Sequence, residues 1–302
     1  MSEIKLFETK PTVKSRPSST VLLEKELQTL IEKNMDVFFG VRFLKTEYVI
    51  PEGRMDSIGI DENNCPVIFE YKRSINENVI NQGLFYLDWL LDHKADFNLL
   101  VREKLGSDVA DKIDWSVPCV ICIASDFTKY DLHAVNQIQR NIKLVKYRKY
   151  DDDLLLFEHL NAPITKTITD ASDIAVQQNA TAVASTQKSH EEKLLLAKDD
   201  IKILYSEICD YVESLGDDIS SNQLKYYLAY KKVANICCIE VFKDHIFLRV
   251  KVNPDSVVLE DNFSRDTRGI GHYGTGDLEL TIRTDADVDK AKPILQRAYN
   301  EG

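Results

Sequence analysis

Apolar side chains at Leu23, Leu27, Leu30, Ile31 and Met35 fall on one side of a helical wheel, so the first predicted element is an amphipathic helix over about 21–34. Apolar runs bounded by turn residues then predict strands at 41–50, 54–61 and 66–73. A longer period gives a helix over 76–93, followed by strands at 97–102 and 117–124, a helix at 130–140, and strands near 142–149 and 153–158. Helices interleaved with short strands in this order build a mixed sheet flanked by helices, an α/β domain.

The pattern lapses between Thr165 and His190, where Ala, Thr, Ser and Gln dominate without a sustained apolar period. This stretch reads as a flexible interdomain linker, with a short helix from Ala180 to Ser185 as the alternative. Beyond it, Ile201, Leu204, Tyr205, Ile208, Tyr211, Val212 and Leu215 mark a helical stripe. Strands at 235–242 and 245–252 form a hairpin across Lys243-Asp244, and a strand at 277–283 and a helix at 286–299 complete a smaller α+β domain. The expected division is 1–160, a connection at 161–195, and 196–302.

Composition adds limits to this picture. With 302 residues, 44% of them hydrophobic and 29% charged, the chain has apolar material for one large or two medium soluble domains. No apolar run reaches the roughly 18–20 residues that span a bilayer, and the start is too polar for a secretory signal, so a cytoplasmic protein without a membrane partner is expected. The six cysteines (65, 119, 122, 209, 237 and 238) are scattered and read as reduced thiols. Cys119 and Cys122 have CxxC spacing, but a strand through VPCVICIA sends them to opposite faces, which disfavours a zinc site. The net charge of −11 is shared by both halves and counts against a nonspecific nucleic-acid coat. It does not exclude a nucleic-acid enzyme, because carboxylates around a metal contribute to the count and a local basic groove can still track phosphates.

The chemistry concentrates in residues 53–73, GRMDSIGIDENNCPVIFEYKR. Along the strand from Pro66, alternation puts Val67, Phe69 and Tyr71 on one face and Ile68, Glu70 and Lys72 on the other. The turn-forming Asp61-Glu62-Asn63-Asn64 folds the preceding strand back antiparallel, which brings Asp56 near Glu70. Two converging carboxylates repel unless a proton or divalent cation intervenes, and oxygen ligands suit Mg²⁺ or Mn²⁺. A surface hairpin with a Glu-Lys pair is the plain alternative. Glu24 falls inside the apolar stripe of the first helix, whereas Glu26 and Glu32 fall outside it; a carboxylate on a buried face needs a partner. Gln82 and Tyr86 share a helix face at i and i+4, placed to orient a water, a lysine or a phosphate, or simply to pack in the core.

As a set these residues resemble the PD-(D/E)XK nuclease superfamily: an acidic residue on the first helix (Glu24), GRxD on a strand (Asp56), ExK on the next (Glu70, Lys72), and QxxxY on a helix (Gln82, Tyr86). The QxxxY element is similar to the RecB-type branch, and GRxD followed by ExK to the NucS and Mrr-like branches. The resemblance covers about residues 20–150; it departs in lacking a Pro directly before Asp56. It implies a restriction-endonuclease-like mixed sheet and a metal-dependent endonuclease acting on DNA, in repair or foreign-DNA defence. By the same resemblance, Asp56 and Glu70 hold Mg²⁺ or Mn²⁺, Lys72 orients water and stabilises charge on the phosphate, and Glu24 completes the outer environment of the metal. Arg54 is read equally as a phosphate contact or as a salt-bridge partner. RNA is an alternative substrate, and a homodimer would supply the two sites that duplex cutting needs. The competing reading is a nonenzymatic nucleic-acid or protein-binding module that keeps the nuclease fold.

Three further features are weaker. KLVKYRKY (143–150) interleaves Lys143, Lys146, Arg148 and Lys149 with Tyr147 and Tyr150, as a nucleic-acid-contacting strand or a lysine-guarded edge strand does. Lys225, Tyr226, Tyr227, Tyr230, Lys231 and Lys232 form a similar patch. Gly269, Gly271 and Gly274 satisfy GxGxxG, but a strand-like DLELTIR follows where a dinucleotide site needs a helix, so a loop is expected, carrying His272. The second domain resembles a C-terminal module of unknown function joined to such nuclease-like domains, which supplies no active site.

Overall fold

The computed structural model describes residues 4–19, 24–72, 79–151, 153–160 and 188–301. The expected linker and the helix considered for 180–185 fall almost wholly outside these residues. Two compact units are present: one draws on Met1–Asp61, Pro66–Ile113 and Pro118–Ile164, the other on Glu62–Cys65, Asp114–Val117 and Thr165–Gly302. Among the described residues, no helix is long and apolar enough to cross a membrane.

Unit 1 runs β1 (Leu6–Glu8), β2 (Lys14–Arg16), β3 (Ser18–Ser19), α1 (Glu24–Lys33), α2 (Met35–Phe39), β4 (Val41–Ile50), β5 (Gly53–Asp61), β6 (Pro66–Lys72), α3 (Val79–Asp92), α4 (Lys94–Leu105), α5 (Ser107–Ala110), β7 (Cys119–Ala124), α6 (Lys129–Gln137), β8 (Asn141–Tyr150) and β9 (Leu154–His159). Its main sheet has the order β3-β8-β7-β6-β5-β4, with β9 also paired to β8. The β4–β5–β6 meander is antiparallel, and β6, β7 and β8 are parallel. The expected α/β class, a mixed sheet flanked by helices, is the observed one.

Alternation along β6 sorts its side chains as the sequence implies. Val67, Phe69 and Tyr71 join Leu27, Ile31, Met35 and Phe39 in the core beneath α1 and α2. Ile68, Glu70 and Lys72 therefore face the other side, where α3 lies against β6 and β7. The helix can come this close because Gly83 has no side chain; a Cβ there would sit 2.5 Å from Val120 Cγ1.

Several local expectations need correction. Residues 97–102 are not a strand but the middle of α4; Phe97, Leu100 and Val101 are buried at i, i+3 and i+4, a helical spacing hidden in a short apolar run. Leu30, at 38% exposed, lies outside the buried stripe of α1, whereas Glu32, expected outside it, bonds to the sheet. In β8, Tyr147 and Tyr150 are buried in the fold, so they offer no stacking surface. Nor is β8 an edge, since it pairs with β7, β9 and β3.

Unit 2 comprises α7 (His190–Leu196), α8 (Asp199–Ser214), β10 (Ser220–Gln223), β11 (Leu228–Lys231), β12 (Asn235–Val241), β13 (Ile246–Val250), β14 (Ser264–Asp266), β15 (Leu278–Ile282) and α9 (Asp285–Glu301). Its antiparallel sheet has the order β10-β11-β12-β13-β15-β14. Ile208 and Val212 of α8 and Ala291 and Leu295 of α9 share a core with Ile239, Leu248 and Leu280. Tyr227, Tyr230 and Lys231 are buried, which dissolves most of the patch proposed around them. The glycine-rich segment is the connection from β14 to its antiparallel neighbour β15, as the strand-like sequence after it required.

Candidate active site

Glu70 and Asp56 meet where the β5–β6 ladder ends. The last backbone pair is Ser57↔Phe69; one step further, side chains replace the ladder. The Asp56 amide donates to Glu70 Oε1 at 3.2 Å, and the Tyr71 amide donates to Asp56 Oδ2 at 3.0 Å. Each carboxylate thus satisfies a strand amide and keeps its remaining lone pairs for other partners.

Burial makes this pair costly to ionise. Glu70 is 2% exposed, and its carboxyl is pushed up to about 8, first by burial and then by the Asp56 charge. Asp56 is half-buried and raised for the same leading reason, against the pull of the Tyr71 amide and of Lys72. Lys72, two residues beyond Glu70 on the same face, lowers both carboxyls, and the charge of Glu24 raises that of Glu70. The structure therefore gathers Asp56, Glu70 and Lys72 on one sheet face, with Glu24 near enough for its charge to be felt.

Tyr86 and Gln82 project from α3. The Tyr86 hydroxyl, 7% exposed overall, accepts from the Arg54 amide at 3.3 Å, so the tyrosine fastens the strand that carries Asp56. Among the described residues no hydrogen bond joins Gln82 to the carboxylates. Arg54 pairs with Glu47 at 3.2 Å, the salt-bridge alternative.

A buried network behind Asp56 escaped the sequence reading. Gln28, 5% exposed, donates from Nε2 to the Asp56 carbonyl at 2.8 Å and to Glu32 Oε1 at 2.9 Å, while Ser57 Oγ donates to Glu32 at 2.6 Å. Lys25 joins Gln28 Oε1 at 3.2 Å to Glu47 at 2.7 Å. The available signal was a polar residue directly after Leu27, inside the stripe closed by Ile31. Asp126 was missed as well; it accepts from Lys146 Nζ at 2.7 Å, and this bond together with the charges of Lys146 and Arg148 leaves its carboxyl lowered although burial opposes it.

Among the described residues no three His, Cys, Asp or Glu side chains converge as a preformed cage. Two carboxylates are nonetheless a sufficient protein share for Mg²⁺, which keeps several waters and takes further oxygens from a phosphate substrate. The cysteines are free thiols, with Cys119 in the α1-side core and Cys122 Sγ on the α3 side, 3.8 Å from the Val79 carbonyl.

Residues 191–302 match a family described as a domain of unknown function, DUF5655. An uncharacterized protein of Haemophilus influenzae is 29% identical over 289 residues, covering 92% of this chain and 93% of that one. Solved structures with some likeness include a repair endonuclease from Pyrococcus abyssi, 20% identical with a TM-score of 0.28, covering 42% of this chain and 48% of that chain. A complex of EndoMS with double-stranded DNA is likewise 20% identical at a TM-score of 0.28, covering 47% of this chain and 59% of that chain.

Proposed function

We propose that unit 1 hydrolyses phosphodiester bonds in DNA with Mg²⁺ or Mn²⁺ held by Asp56 and Glu70. The observation that carries this reading is the meeting of the buried Glu70 carboxyl with the half-buried Asp56 carboxyl at the end of the β5–β6 ladder, with the Lys72 ammonium on the same face. A carboxyl that resists ionisation as Glu70 does is suited to a site where a cation, rather than a proton, becomes its partner. A bound ion would polarise the scissile phosphate and its attacking water.

The chain's own residues supply the rest. Lys72 stabilises negative charge as it builds on the phosphate oxygens, and Glu24 adds an acceptor at the rim where waters are held. Tyr86 and Gln28 hold the backbone of β5 from its two sides, through the Arg54 amide and the Asp56 carbonyl, which fixes the carboxylate between them. The assignment of DNA rather than RNA rests on the resemblance of the motif set.

Incubating the full chain with single-stranded, duplex and branched DNA and with RNA, each with Mg²⁺, Mn²⁺ or EDTA, tests the proposal. Cleavage of DNA that needs the divalent ion is the expected result. Binding of DNA without cleavage under either ion would establish the nonenzymatic module instead.

A further inference from the structure

The basic residues of KLVKYRKY do not form one patch, because alternation along β8 divides them between its two faces. Lys143 and Lys149 share the parity of Val145 and Tyr147, which lie in the α1-side core. Lys146 and Arg148 have the opposite parity and therefore fall on the face of Glu70 and Lys72. The parallel register aligns them further: Lys72 lies beside Ala124, and Ala124 beside Lys146. Two strand spacings separate Lys72 from Lys146, about 10 Å, with only the small Ala124 between them. Arg148 lies two residues further along β8, on the same face as Lys146 and beyond the last pair of that register.

The two basic residues are not equivalent. Lys146 is held by Asp126 at 2.7 Å, which cancels its charge. Arg148 is half-buried and, among the described residues, makes no ion pair; its charge acts on Asp126. Both lie toward the carboxyl end of β8, where Lys146 closes the parallel pairing with β7 and Arg148 lies beyond it, paired to β9; open α/β sheets leave their binding crevice outside the carboxyl ends of parallel strands.

We propose that Arg148 forms a second backbone-phosphate subsite on the catalytic face, holding a phosphate a few nucleotides from the one at Lys72, with the Lys146–Asp126 pair as its neutral floor. A guanidinium suits this task, since its planar fork matches two phosphate oxygens. The inference rests on the nuclease reading of unit 1. Arg148 is a binding residue and leaves the chemical step to the Lys72 group.

The test is the salt dependence of binding to a short DNA duplex in EDTA, for the full chain and for Arg148→Ala, Arg148→Lys and Lys149→Ala. One lost phosphate contact should flatten the slope of log affinity against log salt by about 0.9. That flattening, with affinity several-fold weaker, is expected for Arg148→Ala, whereas Arg148→Lys keeps most of the slope and Lys149→Ala, on the opposite face, leaves it unchanged. A parent that binds and cuts DNA while Arg148→Ala keeps the full slope would overturn the subsite alone. A parent that binds no DNA would overturn the nuclease reading and the subsite with it.

Discussion

Replacing Glu70 by Gln should stabilise the metal-free protein, and the size of the gain should depend on pH. In the unfolded chain this carboxyl ionises near its ordinary value of 4.5; in the fold, burial and Asp56 hold it to about 8. Below pH 4.5 both states are protonated and nothing is lost. Between 4.5 and 8 the unfolded chain ionises while the folded one stays protonated, so stability falls by about 1.4 kcal/mol for each pH unit. The deficit is about 3 kcal/mol at pH 7 and levels off near 5 kcal/mol above pH 8. Gln keeps the shape and an acceptor for the Asp56 amide but never ionises. Denaturant unfolding in EDTA at several pH values should therefore show Glu70→Gln equal to the parent near pH 4.5 and more stable by about 3 kcal/mol at pH 7. Mn²⁺ should reverse the order, because it stabilises only a protein that binds it. A variant less stable than the metal-free parent at pH 8 would refute the argument, since Glu70 would then be a favourably placed charge.

Two other substitutions probe the frame of the site. Gln28→Ala removes the buried donor to the Asp56 carbonyl and should cost about 1–3 kcal/mol in thermal or denaturant unfolding, with weaker Mn²⁺ binding by calorimetry. Gly59→Ala would place a Cβ 2.8 Å from the Arg42 carbonyl and 2.5 Å from Val41 Cγ1, forcing β4 and β5 apart, and should lower stability by about 1–3 kcal/mol.

How much of this was legible in the sequence differs between elements. Alternation alone assigned Glu70 and Lys72 to one face of β6 and Tyr71 to the other, because period-2 geometry leaves no freedom once the strand is known. The Asp-Glu-Asn-Asn turn similarly brought Asp56 across from Glu70. Period failed where the run was short: Phe97, Leu100 and Val101 fit a strand by content and a helix by spacing, and tertiary packing in α4 decided. Glu32 and Gln28 could not be placed because their partners, Ser57 and the Asp56 carbonyl, lie more than twenty residues away in sequence. In unit 2, β10, with the sequence SSNQ, has no apolar alternation at all and takes its pairing from β11. Alternation alone splits KLVKYRKY between two faces, but the alignment of Lys146 with Lys72 across Ala124 needed the parallel registers of β6, β7 and β8, which no local pattern encodes.

The central claim is tested most directly by comparing Lys72→Ala and Asp56→Ala in two assays, Mn²⁺ calorimetry and nicking of supercoiled plasmid. Lys72→Ala should bind Mn²⁺ as the parent does, since the ammonium repels the cation, yet lose nicking by on the order of 100- to 1000-fold through the missing transition-state charge. Asp56→Ala should lose Mn²⁺ binding and nicking together. A parent that nicks plasmid while both variants nick it equally well would contradict the assignment of the site.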